Sequence, residues 1–226
     1  MLSFIRLRLF AVIISTALFA AGCATLTRQS NSQAPAVDEG SSSIIKSPGS
    51  DPKGELETVA KNFLSVGSFR CRSTSAVSFE GIHAEPSRLD LDYVKPDRYH
   101  FKSGIDPEKI IIGKITYVKK NEKWTKTADD SESQIPGVRE GFSDEALRRI
   151  DDVKYVGEES RNGEALLQYS ILSKSLGSEE PLELKLWVFK QTGLPATFEI
   201  DYRGKYSSTT QMDYSYPPDI KIEAPV

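Results

Sequence analysis

The chain has 226 residues, a formal net charge of −3, 38% apolar and 27% charged residues, with nine Tyr, ten Phe and two Trp. That is room for one domain with accessories and enough apolar material for a core, so wholesale disorder is excluded. Setting aside Arg6 and Arg8, 27 basic residues face 32 acidic ones, which argues against nucleic-acid binding. Two cysteines and two histidines exclude a disulfide scaffold, a zinc ribbon and a His-rich metal site.

Residues 1–22 read as a signal peptide. Arg6 and Arg8 supply a positive start, and residues 9–21 are apolar except for Ser15 and Thr16. A membrane span needs about 20 apolar residues, so this run is too short to cross comfortably. It ends in Ala20-Ala21-Gly22-Cys23, small residues before a cysteine, which resembles a bacterial lipobox. The resemblance implies cleavage before Cys23 and a diacylglyceryl thioether on its sulfur, with palmitate-type chains. Two acyl chains make attachment durable where one is marginal. Cys23 would then anchor the mature protein to the extracytoplasmic side of an envelope membrane. Ala24 stands where an Asp would signal inner-membrane retention, so a source with two membranes implies the outer one.

Residues 23–50 hold the lipidated cysteine and a tether rich in Ser, Gln, Asn, Pro and Gly. Flexible chain of this length reaches roughly 30 Å. Residues 51–226 are the folded domain. Asp51 and Pro52 are helix-start residues, and Leu56, Val59, Ala60, Phe63 and Leu64 form one stripe. The period then drops to two. Phe69, Cys71, Val77 and Phe79 share one face of the first strand, opposite Arg70 and Arg72. Leu89, Leu91 and Tyr93 alternate with Asp90 and Asp92, and Tyr99 and Phe101 flank His100. Residues 109–113 and 116–119 are β-branched, and residues 120–123 form a turn.

Ser143 begins a short helix with a stripe of Ala146, Leu147 and Ile150. Strands follow at 153–157, 165–172, 182–190, 197–202 and 206–214, with Asn162-Gly163 as a hairpin signal. Lys221-Ile222-Glu223 reads as a last strand. The fold class is α+β: about ten or eleven antiparallel strands in a strongly curved, unclosed sheet, with two or more helices plugging the concave face.

This layout resembles the LolA/LolB-like superfamily, nearest the LppX/LprG-type lipoproteins. The likeness is carried by Tyr93-Val94-Lys95-Pro96-Asp97-Arg98-Tyr99, by Gly113 through Tyr117-Val118 to Trp124, and by Leu186-Trp187-Val188 with Gly193-Leu194-Pro195. It implies an apolar cavity for acyl chains of lipids, glycolipids or lipoproteins. The expected inner wall is Phe69, Val77, Phe79, Leu89, Leu91, Tyr99, Phe101, Tyr169, Leu184, Leu186, Phe198 and Ile200. The alternative is a core filled by the same residues, in a tethered structural or protein-interaction domain. The chain is expected to be a monomer.

Catalytic chemistry has little to stand on. His83 and His100 lack a nucleophile and acid at a suitable spacing, and no phosphate, dinucleotide, zinc or hydrolase motif occurs. No enzyme activity, metal or cofactor is expected. Cys71 reads as a buried thiol and the acidic run 129–132 as a solvated loop; Trp124 and Trp187 read as either core or membrane-facing rim aromatics, with Trp187 the better rim candidate.

Overall fold

The computed structural model describes residues 44–79, 82–127, 138–174, 181–203 and 206–225. The signal segment 1–22, Cys23, the tether up to residue 43 and the acidic run 129–132 lie outside the described residues. Residues 44–50, the end of the segment read as tether, pack onto the domain, and Ile45 is 7% exposed.

Helix α1 (Pro52–Ser65) starts where the sequence places it. The Asp51 carboxylate accepts from Gly54 N–H at 3.1 Å, and Glu55 reaches back to Asp51 N–H at 3.3 Å. Proline in the first turn loses no hydrogen bond, since that N–H has no intrahelical partner. Leu56, Val59, Ala60 and Phe63 are buried in one stripe.

The strands are β1 (Ser68–Phe79), β2 (Ile82–His83), β3 (Ser87–Val94), β4 (Arg98–Ser103), β5 (Lys109–Ile112), β6 (Ile115–Lys120) and β7 (Lys123–Thr127). After a 3-10 turn (Glu140–Phe142) and α2 (Asp144–Arg148) come β8 (Ile150–Arg161), β9 (Glu164–Lys174), β10 (Pro181–Phe189), β11 (Pro195–Arg203) and β12 (Tyr206–Ser215). They form a single antiparallel sheet in the order β7-β6-β5-β4-β3-β1-β12-β11-β10-β9-β8, with β2 paired beside β1. Two meanders are joined where β1 pairs β12, from Arg70↔Ser215 to Phe79↔Tyr206. The ends β7 and β8 do not meet, so the sheet is open. The Asn162-Gly163 hairpin has both residues at positive φ, 52° and 84°, the turn that matches strand twist.

Four details depart from the sequence reading. Among the described residues the sheet has twelve strands, because β2 adds a two-residue ladder; Ile82 and His83 are both exposed and carry no alternation to detect. Lys221-Ile222-Glu223 is not a strand. Ile222 is buried, and its carbonyl accepts from the Arg98 guanidinium at 2.9 Å. Ile150 opens β8 instead of closing α2, whose C-cap is Arg149. Trp187 is 6% exposed beneath the Arg161 guanidinium, 4.5 Å from its ring, and is no rim residue. A register shift between Trp187 and Val188 breaks the alternation, so Trp187, Val188 and Phe189 are all buried.

The core lies on the concave face beneath α1. Phe63 meets Phe142 at 4.7 Å, Phe69 at 4.9 Å and Tyr214 at 5.3 Å between ring centroids. Tyr93 and Tyr99 extend this cluster along β3 and β4. Cys71 sits in the same layer, 1% exposed, and burial pushes its thiol from 9.0 up to about 12. Above pH 9 the unfolded chain loses a proton that the native thiol keeps, so stability falls as pH rises from 9 towards 12. We predict that Cys71 resists alkylation at pH 8 until denaturant is added, read by peptide mapping. The melting temperature should decline progressively above pH 9.

Candidate ligand-binding site

The inner face of the sheet is not uniformly apolar. One row across the strands reads Val153, Ile171, Leu184, Ile200, Thr210, Ser75 and Ser87, from β8 to β3. Carbon gives way to hydroxyl at β12, where the Ser75 and Thr210 hydroxyls bond at 2.9 Å. The apolar half, β9 to β11, faces the space that α1 does not fill.

That space is a cavity of about 200 Å³. Its sheet wall is Ile171, Leu182, Leu184, Leu186, Phe198 and Ile200. Leu56 enters from α1, and Phe142, Ala146, Leu147 and Ile150 close it from the 3-10 turn, α2 and the start of β8. The polar contribution is at the margin: the Ser173 hydroxyl donates to the Arg149 carbonyl at 3.2 Å, and both residues line the cavity. A cavity of about 150 Å³ in apolar surroundings stays dry and takes a benzene-sized molecule. Pockets for whole drug-sized ligands run from about 300 Å³. This one therefore suits the end of a hydrocarbon chain, with each methylene gaining about 0.8 kcal/mol on leaving water.

The residues expected on an inner wall fall into four places. Leu184, Leu186, Phe198 and Ile200 line the cavity. Phe69, Leu91, Phe101 and Tyr169 are buried in the core cluster, with Leu89 and Tyr99 packed against it. Val77 borders a separate groove shared with His83, Ser208 and Glu85, beyond the hydroxyl row. Phe79 is half-buried at the end of β1. Sequence reasoning left out Leu56, Phe142, Leu147, Ile150, Ile171 and Leu182. Leu56 belonged to the helical stripe, and Leu147 and Ile150 to the second helix; only folding brings them opposite β10 and β11.

Polar ties hold both ends of α1. At its N-terminal end the Glu55 carboxylate is 8% exposed and accepts from the Tyr169 hydroxyl at 2.8 Å and Gly49 N–H at 3.1 Å. Burial and this bond push the Tyr169 phenol well above its ordinary range. At the C-terminal end Arg139 donates to the Leu64 carbonyl at 2.9 Å and the Tyr93 hydroxyl at 2.6 Å, and stacks 4.6 Å from the Tyr93 ring. Ser143 accepts from Ala146 N–H at 3.2 Å and caps α2. No group of three or more metal-ligating side chains occurs among the described residues. His100 bonds Glu108 at 2.7 Å, and His83 is exposed on β2.

No protein-family model matches this sequence, and no curated protein matches it either. Solved structures do. LprF from Mycobacterium bovis superposes with a TM-score of 0.57 at 13% identity, covering 79% of this chain and 99% of that one. The lipoprotein LppX from Mycobacterium tuberculosis gives 0.55 at 13% identity, covering 76% and 97%. The chain thus has the fold of LprF and LppX, an unclosed antiparallel sheet curved around helices.

The cavity and the packed core differ in their tolerance of added volume. Ala146→Phe, which points new carbon at the cavity, is expected to leave the melting temperature unchanged or slightly raised. Val59→Phe, at a fully buried position, should overpack and cost about 1–3 kcal/mol. Thermal unfolding of the two variants side by side checks the contrast.

Proposed function

We propose that this chain is a lipid-anchored envelope protein that shelters part of an acyl chain of a lipid, glycolipid or lipoprotein in the cavity between α1, α2 and strands β9–β11. The observation carrying this reading is the cavity itself. Ten of its fourteen lining residues are Leu, Ile or Phe, and it lies beside the packed aromatic core on the concave face of the sheet. Its size calls for partial enclosure, with the rest of the ligand outside. The fold shared with LppX, itself a lipoprotein, supports the same reading.

Cys23 would carry the anchor, and residues 24–43 would let the domain reach along or away from the membrane. Nothing in the site supplies a nucleophile with a base, so the role is binding or carriage without turnover. The competing reading is a tethered interaction domain, favoured by the aromatic packing that fills the β1, β3 and β12 side.

Native mass spectrometry of the purified chain separates them. A co-purified acyl-bearing molecule, one per chain, that Ala146→Phe reduces severalfold is the expected result. A clean ligand-free mass with no uptake of added lipid would overturn the carrier reading. Independently, Cys23→Ser is expected to move the protein from the membrane pellet to the soluble or secreted fraction. Retention in the pellet with the signal peptide removed would refute the lipid anchor.

A further inference from the structure

Beside the apolar cavity, on the other side of the contact between α1 and α2, runs an open groove of about 620 Å³. Phe142 and Leu147 line both spaces, so two side chains separate them. The groove's floor is Ala60, 2% exposed, whose small side chain lets the two helices leave a channel. Its walls carry three cations, Lys53 and Lys61 on α1 and Arg148 at the end of α2, all exposed. Two carboxylates face them. Glu57 sits between the lysines at four-residue spacing, and Asp144 is in the first turn of α2, where it complements the helix dipole. The cavity thus offers carbon, and the groove beside it offers an excess of positive charge.

Resting on the acyl-chain reading above, we infer that the ligand is an anionic amphiphile, with its tail end in the cavity past Leu147 and its carboxylate or phosphate head in the groove among Lys53, Lys61 and Arg148. An acyl chain that fits only in part must leave its head outside. The adjoining groove, past Leu147, is lined by groups that pair with an anion. Neutral heads gain nothing from those cations and forfeit the discrimination they provide.

The probes are palmitate, hexadecanol and a phosphatidylglycerol, each titrated into the full chain and read by native mass spectrometry. Palmitate or the phosphatidylglycerol should bind about tenfold more tightly than hexadecanol, since three exposed charge contacts each contribute a few tenths of a kcal/mol or more. The two anionic probes tell a free carboxylate from a lipid phosphate head, and preference for either supports the site. Combining Lys53→Gln, Lys61→Gln and Arg148→Gln should reduce palmitate binding to the level of hexadecanol and leave hexadecanol uptake and melting temperature unchanged. As a check that needs no variant, added salt should weaken palmitate binding and spare hexadecanol. Equal affinity for palmitate and hexadecanol, or an unmoved affinity in the triple variant, overturns the head-group site and leaves the cavity reading standing. Failure of all three probes to bind overturns both.

Discussion

A curved antiparallel sheet that does not close must have its concave face covered, and everything distinctive here follows from how little of that cover is available. Only two short helices and a 3-10 turn occur among the described residues. Helix α1 places Leu56, Val59 and Phe63 over the sheet, and Phe63 anchors the aromatic cluster that joins β1, β12 and the 3-10 turn. Fourteen helical residues extend about 21 Å at 1.5 Å each, too short to fill a face of twelve strands. Part of the uncovered remainder is the cavity.

Polar contacts add to the buried carbon in holding α1 over the sheet. Glu55 is tied to Tyr169 on β9, and Arg139 ties the last turn of α1 to Tyr93 on β3. The two ends of the helix are thus tied to β9 and to β3, and between them Asn62 donates to the Thr192 and Gly193 carbonyls in the turn between β10 and β11. Burying Glu55 would be costly without partners, and three donors meet its carboxylate, from Tyr169, Gly49 and Asp51. On the other flank of the concave face the row turns polar, and the Ser75 and Thr210 hydroxyls bond each other.

Charge follows the same division. The convex face carries paired ladders such as Arg70 with Asp92 at 2.6 Å and Lys185 with Glu199 at 2.7 Å, which keep it wet and unmatched to apolar partners. Edge strand β7 bears Lys123 and Lys126, and β8 is broken by a bulge between Tyr155 and Gly157. Both features discourage edge-to-edge pairing of the open sheet with another copy.

The local elements were legible in the sequence because each is governed by near neighbours. Asp51-Pro52 and Ser143 start helices through contacts within four residues, Asn162-Gly163 forms its turn through its own backbone, and alternation such as Leu89, Leu91, Tyr93 reports which face meets the core. The family resemblance then supplied the curved, open form of the sheet. What the sequence could not separate was a residue facing inward from a residue facing empty space. Phe69 and Leu184 carry the same inward phase, yet one lies beneath α1 and the other beside the cavity, and only the placement of α1 distinguishes them. The bulge at Trp187, the hydrogen bond from Arg98 to the Ile222 carbonyl, and the joint lining of the cavity by Leu147 and Leu184 likewise depend on residues distant in the chain. Periodicity records the environment averaged over a strand; the volume left between a sheet and its helix is a difference between two large packed surfaces, and tertiary structure alone decides it.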